Sequence, residues 1–267
     1  MELRDVQVYF KTRTGSLFHP NVVKAMDGVN LKLMPGKTIG IVGESGSGKS
    51  TAANVMCGLQ VPTGGKVYFK GQDYTKRSAD MRKRMGRLVS VVFQDPATAL
   101  NPRMIVAEQL LDPLIVHKVK SAEERKKRVK ALTRLVGLPS SALEALPGQL
   151  SGGQRQRVAI ARALSLGPDA IIADEPTSAL DVSVRAQILN LLTDLKSKLG
   201  LSMVFISHDI QTVRYVSDSI AVMNHGHIVE YGEASELLSH PKEEYTKKLL
   251  GAAPTLLHPH LASVDSQ

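Results

Sequence analysis

The chain of 267 residues contains one cysteine, no tryptophan and only 4% aromatic residues. A single cysteine excludes an intrachain disulfide, and the position of Cys57 shortly after a glycine-rich loop predicts a buried thiol on a helix. No apolar run approaches the roughly 18 residues that a membrane-spanning helix needs. The start, Met1-Glu2-Leu3-Arg4-Asp5, lacks the basic residues and apolar stretch of a secretory signal. We therefore expect a cytosolic protein.

The chain has a net charge of +9, while 43% hydrophobic residues are ample for a core. Basic residues concentrate in the ranges 76–87 and 118–130. The second range contains Ser121 and Glu124 at the spacing of a capping box. An apolar helix face follows at Val129, Leu132 and Val136. We interpret the second range as a solvated helix surface, with contact to anionic lipid as the alternative. No interleaved aromatics favour single-stranded nucleic acid.

Apolar patterning predicts an α/β fold. The first strand, residues 3–10, alternates so that Val6, Val8 and Phe10 fall on one side. From Pro96 to Leu164 the pattern is helical, and strand and helix alternate from there to the end, which predicts a parallel sheet. The other predicted strands are Val29–Leu33, Thr38–Val42, Val67–Phe69, Leu88–Phe93, Ala170–Ala173 and Met203–Ile206, and a further helix is Val184–Leu199.

A glycine-rich loop, GESGSGKST at 43–51, follows the third of these strands directly. Its glycines let the backbone wrap around an anion, and the helix after it turns free N–H groups toward that anion. Lys49 can reach the β- and γ-phosphates of a nucleotide, Ser50 can ligate Mg²⁺, and Thr51 can donate to a phosphate oxygen. The predicted phosphate-binding residues are Gly43, Glu44, Ser45, Gly46, Ser47, Gly48, Lys49, Ser50 and Thr51.

Four polar residues follow buried strands. Asp174 and Glu175 end the apolar run IIADE, at the sheet edge where open α/β sheets bind ligands. Asp174 suits Mg²⁺ through water, and Glu175 suits general-base catalysis or positioning of the attacking water. Gln94 has a neutral amide that can contact Mg²⁺ and this water. His208 emerges beside Glu175, where an imidazole can hold the γ-phosphate and brace the carboxylate.

A second glycine pair lies midway along the chain, in LSGGQ at 150–154. Few phosphate-binding proteins carry such a pair, which suggests a nucleotide site completed by another copy of the domain. In SALD at 178–181, Asp181 can signal between the sites of a dimer, although an aspartate before a helix is also an ordinary N-cap.

Together these motifs resemble the ATPase subunit of an ABC (ATP-binding cassette) transporter. The resemblance implies a head-to-tail dimer that binds ATP and Mg²⁺ between the phosphate loop of one subunit and LSGGQ of the other. Ser151, Gly152, Gly153 and Gln154 would then face the γ-phosphate of the opposite subunit. It also places an aromatic side chain against adenine, by register Phe10, with Tyr9 as the alternative.

The implied fold is a P-loop NTPase (RecA-like) core with an N-terminal antiparallel β-subdomain and an inserted helical subdomain. A single domain would span 1–253. Residues 1–95 and 165–253 would form the core and 96–164 the helical subdomain. Residues 254–267 would be a short, polar and poorly ordered tail.

Longer segments resemble one subgroup, the oligopeptide, dipeptide and nickel importers. This resemblance implies a second ATPase subunit, identical or different, two transmembrane permease subunits and an extracytoplasmic solute-binding protein. The chain would lie at the cytoplasmic face of the cell membrane and power uptake of a di- or oligopeptide, without binding nucleic acid. The segments are VVFQDPATALNPRM (91–104), IADEPTSALDVSVRAQILNLL (172–192) and HPKEEYTKKLL (240–250).

Three alternative functions remain open from the sequence. An exporter ATPase would use the same motifs. A soluble ABC protein acting on nucleic acid would need a long coiled coil, for which the interval from Lys49 to Leu150 is too short and lacks sustained heptads. One acting on the ribosome would carry two cassettes, whereas this chain has one. A small-molecule kinase would leave LSGGQ unexplained.

Overall fold

The computed structural model describes residues 1–11, 21–76, 78–119 and 121–252, which form an α/β fold. The strands are β1 (Glu2–Lys11), β2 (Val22–Lys32), β3 (Thr38–Val42), β4 (Gly64–Phe69), β5 (Gln72–Asp73), β6 (Val89–Val92), β7 (Ala170–Asp174), β8 (Ser202–Ile206), β9 (Ser219–Asn224) and β10 (His227–Glu233). The helices are α1 (Lys49–Met56), α2 (Ala79–Leu88), α3 (Pro96–Ala99), α4 (Val106–Val116), α5 (Ala122–Leu135), α6 (Gly152–Ala163), α7 (Val182–Leu199), α8 (Ile210–Val216), α9 (Ala234–Ser239) and α10 (Glu244–Ala252).

Six strands form the main sheet in the order β10-β9-β3-β8-β7-β6. The pairs from β9 through β3, β8 and β7 to β6 are parallel, and only β10 runs antiparallel to its neighbour. The carboxyl ends of β3, β6, β7 and β8 therefore meet at one edge. The parallel sheet predicted from the sequence is confirmed.

Both faces of the main sheet are buried, as parallel sheets require. In β7, Ala170 and Ile172 pack with α1 and the second sheet, whereas Ile171 and Ala173 pack with helices on the other side. All four are at most 2% exposed. This double burial explains why the strand is a continuous apolar run in the sequence.

The second sheet is antiparallel, in the order β2-β1-β4-β5. The pairing of β1 with β2 is shifted around Val6 and Val8, and Asp5 has a φ of 50°. Such irregularities turn the side chains that follow them. Phe10 is 41% exposed, whereas Val6 and Val8 are fully buried, so Phe10 does not share their burial.

Helices α3 to α6 lie between β6 and β7, and the described residues of 96–164 contain no strand. The hydroxyl of Ser121 caps α5 by accepting from the N–H of Glu124, as the spacing predicts. The apolar face of α5 is buried against α4 and α6, and comprises Val129, Leu132 and Val136. The helical character of this segment is confirmed. The domain boundaries remain a prediction, and the tail at 254–267 lies outside the described residues.

Three local expectations need correction. Strand and helix do not alternate to the end, because β9 and β10 form a hairpin whose turn residues His225 and Gly226 both have positive φ, typical of a type I′ turn. Helix α2 was not predicted because Met85 is its only buried residue. Cys57 is half-buried rather than buried, since it lies at the end of α1, where the chain leaves the core.

No helix in the described ranges combines the length and apolarity needed to span a membrane.

Candidate nucleotide site

An open cleft of about 590 Å³ lies at the carboxyl edge of the main sheet. The phosphate loop forms its floor, and residues that follow β6, β7 and β8 form one side. The lining residues are Val23, Lys24, Ala25, Ser45, Gly46, Gly48, Lys49, Ser50, Thr51, Gln94, Glu175 and His208. The structure therefore brings most of the predicted loop residues together with the three predicted catalytic side chains.

Two glycines of the loop occupy positions that only glycine can fill. Gly48 has a φ of 108°, and a Cβ there would lie 2.3 Å from the carbonyl oxygen of Ala25. Gly43 has a φ of 155°, and its Cβ would lie 2.2 Å from the carbonyl oxygen of Met223. The loop is thus pressed against β2 and β9, which fixes the concave side toward the cleft.

Lys49 is 6% exposed and bonds to the loop itself. Its ammonium donates to the carbonyl oxygens of Gly43 at 2.8 Å and Glu44 at 2.7 Å. Burial lowers the pKa of Lys49, against the opposing charges of Glu175 and Asp174. A cation held by exchangeable carbonyl contacts can transfer to phosphate oxygens without leaving the loop.

Asp174 lies at the end of β7 with its Oδ1 buried and without a hydrogen-bond partner among the described residues. Burial and the neighbouring charge of Glu175 raise the pKa of Asp174, while the Ser50 hydroxyl and Lys49 oppose that rise. An unsatisfied carboxylate oxygen beside a serine hydroxyl is a donor set that suits Mg²⁺. Within the described ranges, no group of three or more His, Cys, Asp or Glu residues could hold a metal by itself.

Glu175, His208 and Gln94 meet in the cleft. The Glu175 carboxylate lies 3.1 Å from His208 Nδ1 and accepts a 3.4 Å hydrogen bond from the Gln94 amide. Since Asp174 pairs with Ile206 across β7 and β8, the two following turns leave the sheet side by side. Glu175 has a φ of 46°, an unfavourable conformation for a non-glycine residue that is typical of functional turns.

The sequence profile described as ABC transporter matches residues 26–178. The chain belongs to the ABC transporter family. It is 44% identical over 248 residues to the dipeptide transport ATP-binding protein DppF of Haemophilus influenzae, covering 93% of this chain and 76% of that protein. It is 46% identical over 257 residues to the oligopeptide transport ATP-binding protein AppF of Bacillus subtilis, covering 95% and 78%.

The solved structures agree with this assignment. The dimeric ATP-binding cassette MJ0796 bound to ADP and phosphate matches with a TM-score of 0.77 at 34% identity, covering 87% of this chain and 98% of that one. The ABC ATPase fold expected from the sequence is confirmed, and the chain is an ATPase that binds ATP.

The LSGGQ segment, residues 150–154, lies at the start of α6, and its residues are not among those that line the cleft. The Ser151 hydroxyl accepts from the N–H of Gln154, whose side chain accepts from the N–H of Ser151, which is a complete capping box. Asp181 caps α7 by accepting from the N–H of Val184 at 3.0 Å. Gly152, Gly153 and Asp181 are thus positioned by helix starts outside the cleft of their own subunit.

At the other side of the cleft, Phe10 pairs across the sheet with Val23, which is 51% exposed. The Tyr9 hydroxyl donates to Asp27, and Lys24 lies 5.4 Å from the Tyr9 ring. Tyr9 is thus engaged by its neighbours while the Phe10 ring is accessible. The contribution of residues 23–25 to the lining was missed, because strand β2 was predicted to begin at Val29; the β-branched pair Val22-Val23 was the available signal.

Proposed function

We propose that the chain is the MgATPase subunit of an importer that takes up a small peptide through a membrane permease. The relatives at 43–46% identity are ATP-binding proteins of dipeptide, di/tripeptide and oligopeptide transport, and each alignment covers more than 90% of this chain. Such extended similarity, including the carboxyl-terminal helices, supports the same role for this chain.

The observation that carries the catalytic proposal is the placement of Glu175, His208 and Gln94 around one side of the phosphate cleft. The loop N–H groups and Lys49 bind the β- and γ-phosphates. Glu175 takes the proton of the attacking water, while His208 and Gln94 orient that carboxylate. Ser50 and Asp174 would hold Mg²⁺, which neutralises charge on the phosphates when bound.

We also propose that a second cassette completes the site with Ser151, Gly152, Gly153 and Gln154. Helix α6 begins at Gly152, so the N–H groups of its first glycines are not used by the helix itself. These groups and the helix dipole favour an anion. The dimeric state of a related cassette supports this arrangement.

Exposed apolar residues near Gln94 support a surface of this chain that binds the permease. Phe93 is 45% exposed, Ile115 54% and Val116 62%. Phe93 and Val116 border a groove of about 330 Å³ between β6 and α4. We propose that a cytoplasmic segment of the permease binds here, which would place the chain at the cytoplasmic membrane face beneath an extracytoplasmic solute-binding protein.

Affinity capture tests this assembly. The Glu175→Gln chain, incubated with MgATP to hold the dimer closed, serves as bait on detergent-solubilised membranes, with Lys49→Ala as the control that cannot close. We expect the Glu175→Gln bait to recover two multi-spanning proteins and an ATPase partner. The Lys49→Ala bait should recover smaller amounts of the same proteins. Recovery of soluble proteins or ribosomes alone would contradict the transport proposal while leaving the ATPase chemistry intact.

A further inference from the structure

The last described helix, α10, contacts the phosphate loop directly. The Tyr245 hydroxyl accepts a 3.0 Å hydrogen bond from the N–H of Glu44. The carbonyl oxygen of the same Glu44 accepts from Lys49 at 2.7 Å. Both peptide groups of Glu44 are therefore held, one by a lysine within the loop and the other by a residue 201 positions away.

Helix α10 is fixed independently of this contact. The Glu230 carboxylate on β10 accepts from the N–H of Lys242 at 2.9 Å and the N–H of Glu243 at 3.2 Å, just before the helix begins. Tyr245, Leu249 and Leu250 form one helix face against the core. The phenol is thus positioned by packing and by a carboxylate cap, rather than by the loop that it contacts.

The chemistry of a phenol suits this position. Burial raises the pKa of Tyr245, although the hydrogen bond from Glu44 opposes that rise, so the hydroxyl is neutral at physiological pH. It can accept a hydrogen bond from the loop without placing a negative charge beside the phosphates. A carboxylate at the same place would repel the nucleotide.

We propose that Tyr245 is a positioning residue for nucleotide binding: its hydroxyl holds the Glu44 peptide and keeps the phosphate loop in the conformation that receives ATP. The inference rests on the proposed role of this loop. When Lys49 moves from the Glu44 carbonyl to the phosphates, Tyr245 still holds Glu44.

Tyr245→Phe tests the inference because it removes one oxygen and leaves the packed ring in place. The dissociation constant of MgATP is measured on the intact chain by displacement of N-methylanthraniloyl-ATP. We expect it to rise roughly three- to tenfold, which corresponds to one ordinary hydrogen bond and a smaller binding-competent fraction. In the nucleotide-free variant, the backbone amides of residues 43–48 should exchange hydrogen faster than in the unsubstituted chain. Exchange of the α10 amides should not change.

Tyr231→Phe is the matched control, because its hydroxyl makes a 3.4 Å contact with Ser219 and Tyr231 does not line the cleft. This variant should bind MgATP as the unsubstituted chain does. Equal affinity and equal loop exchange for Tyr245→Phe and the unsubstituted chain would overturn the inference. Failure of the unsubstituted chain to bind MgATP would instead contradict the proposed function, so the two failures are distinguishable.

Discussion

At the scale of single residues, the adjacent carboxylates Asp174 and Glu175 have different surroundings. Asp174 ends a buried strand with one oxygen lacking a partner, whereas Glu175 turns into the cleft and meets His208 and Gln94. Burial and the charge of Glu175 raise the pKa of Asp174. The first carboxylate is therefore suited to a cation, and the second to proton transfer.

Asp174→Asn should raise the stability of the nucleotide-free chain and lower its rate of ATP hydrolysis. A carboxyl group with a raised pKa in the folded state favours folding at low pH, and this contribution is lost as pH rises through the folded pKa. At pH 7 the amide should therefore raise the free energy of unfolding of the nucleotide-free chain by about 1 kcal/mol. Hydrolysis should fall by roughly 100-fold, since Mg²⁺ loses an anionic partner.

Urea denaturation and steady-state hydrolysis check both effects. Asp169→Asn is the control, because the Asp169 carboxylate is 41% exposed and pairs with Lys70 away from the cleft. It should change neither quantity appreciably. A destabilised but fully active Asp174→Asn variant would contradict the assignment.

The choice between Phe10 and Tyr9 can also be tested at single residues. Phe10→Ala should raise the dissociation constant of MgATP at least fivefold, because stacking on a base contributes about 1–3 kcal/mol. Inorganic tripolyphosphate, which has no base, should bind the variant and the unsubstituted chain equally. Tyr9→Ala should leave both affinities unchanged, and the reverse pattern would assign the adenine contact to Tyr9.

At the scale of helices and strands, the sequence predicted elements with a strong apolar period and missed those without one. Strand β3 was predicted with its observed bounds, and α7 began only two residues earlier than expected. Helix α2 buries only Met85, so nothing distinguished it from a basic loop. The β9–β10 turn was marked by Gly226 alone, and the carboxyl-terminal helices have short apolar faces.

The same limit applies to the candidate site. The chemistry of the motif residues can be predicted from their types and spacing. The structure brings Gln94, Glu175 and His208 together, as we predicted because each of them follows a buried strand. Tyr245 reaches Glu44 across 201 positions, a tertiary contact that no local pattern specifies. The lining by residues 23–25 likewise depends on how the second sheet packs beside the loop.

Helices α6 and α7 meet at Gly153, where a Cβ would lie 2.6 Å from Val184 Cγ1. Gly153→Ala should lower the free energy of unfolding by about 1–2 kcal/mol, because overpacking outweighs the helix-forming gain of alanine. Hydrolysis should fall as the start of α6 shifts. Gly148→Ala is the control, since no atom lies within 4 Å of its Cβ position, and equal stability of the two variants would contradict this packing argument.

At the scale of the whole molecule, Asp218 joins distant elements. Its carboxylate accepts from the N–H of Thr38 in β3 at 2.7 Å and from Lys196 in α7 at 2.6 Å. Burial alone would raise the pKa of Asp218, but these hydrogen bonds and one from Lys37 hold it below its ordinary value. A lowered carboxyl pKa stabilises the fold at neutral pH, and this stabilisation is lost as pH falls through the folded pKa.

Asp218→Asn should therefore lower the free energy of unfolding at pH 7 by about 1–2 kcal/mol. The difference from the unsubstituted chain should shrink as the pH is lowered below the ordinary aspartate pKa of 3.8. Urea denaturation across pH 2.5–7 measures this difference in the free energy of unfolding. Asp194→Asn, at an exposed pair with Lys198, is the control. A difference that did not depend on pH would contradict the account.

The most direct test of the central claim is peptide uptake by the transporter reconstituted in proteoliposomes with this chain or its Glu175→Gln variant. With the unsubstituted chain we predict dipeptide accumulation that requires MgATP and its solute-binding protein. With Glu175→Gln, ATP should still bind while hydrolysis and uptake both fall at least 100-fold, because the group that accepts the proton of water is gone. Undiminished hydrolysis by the variant, or hydrolysis without uptake by the unsubstituted chain, would contradict the account.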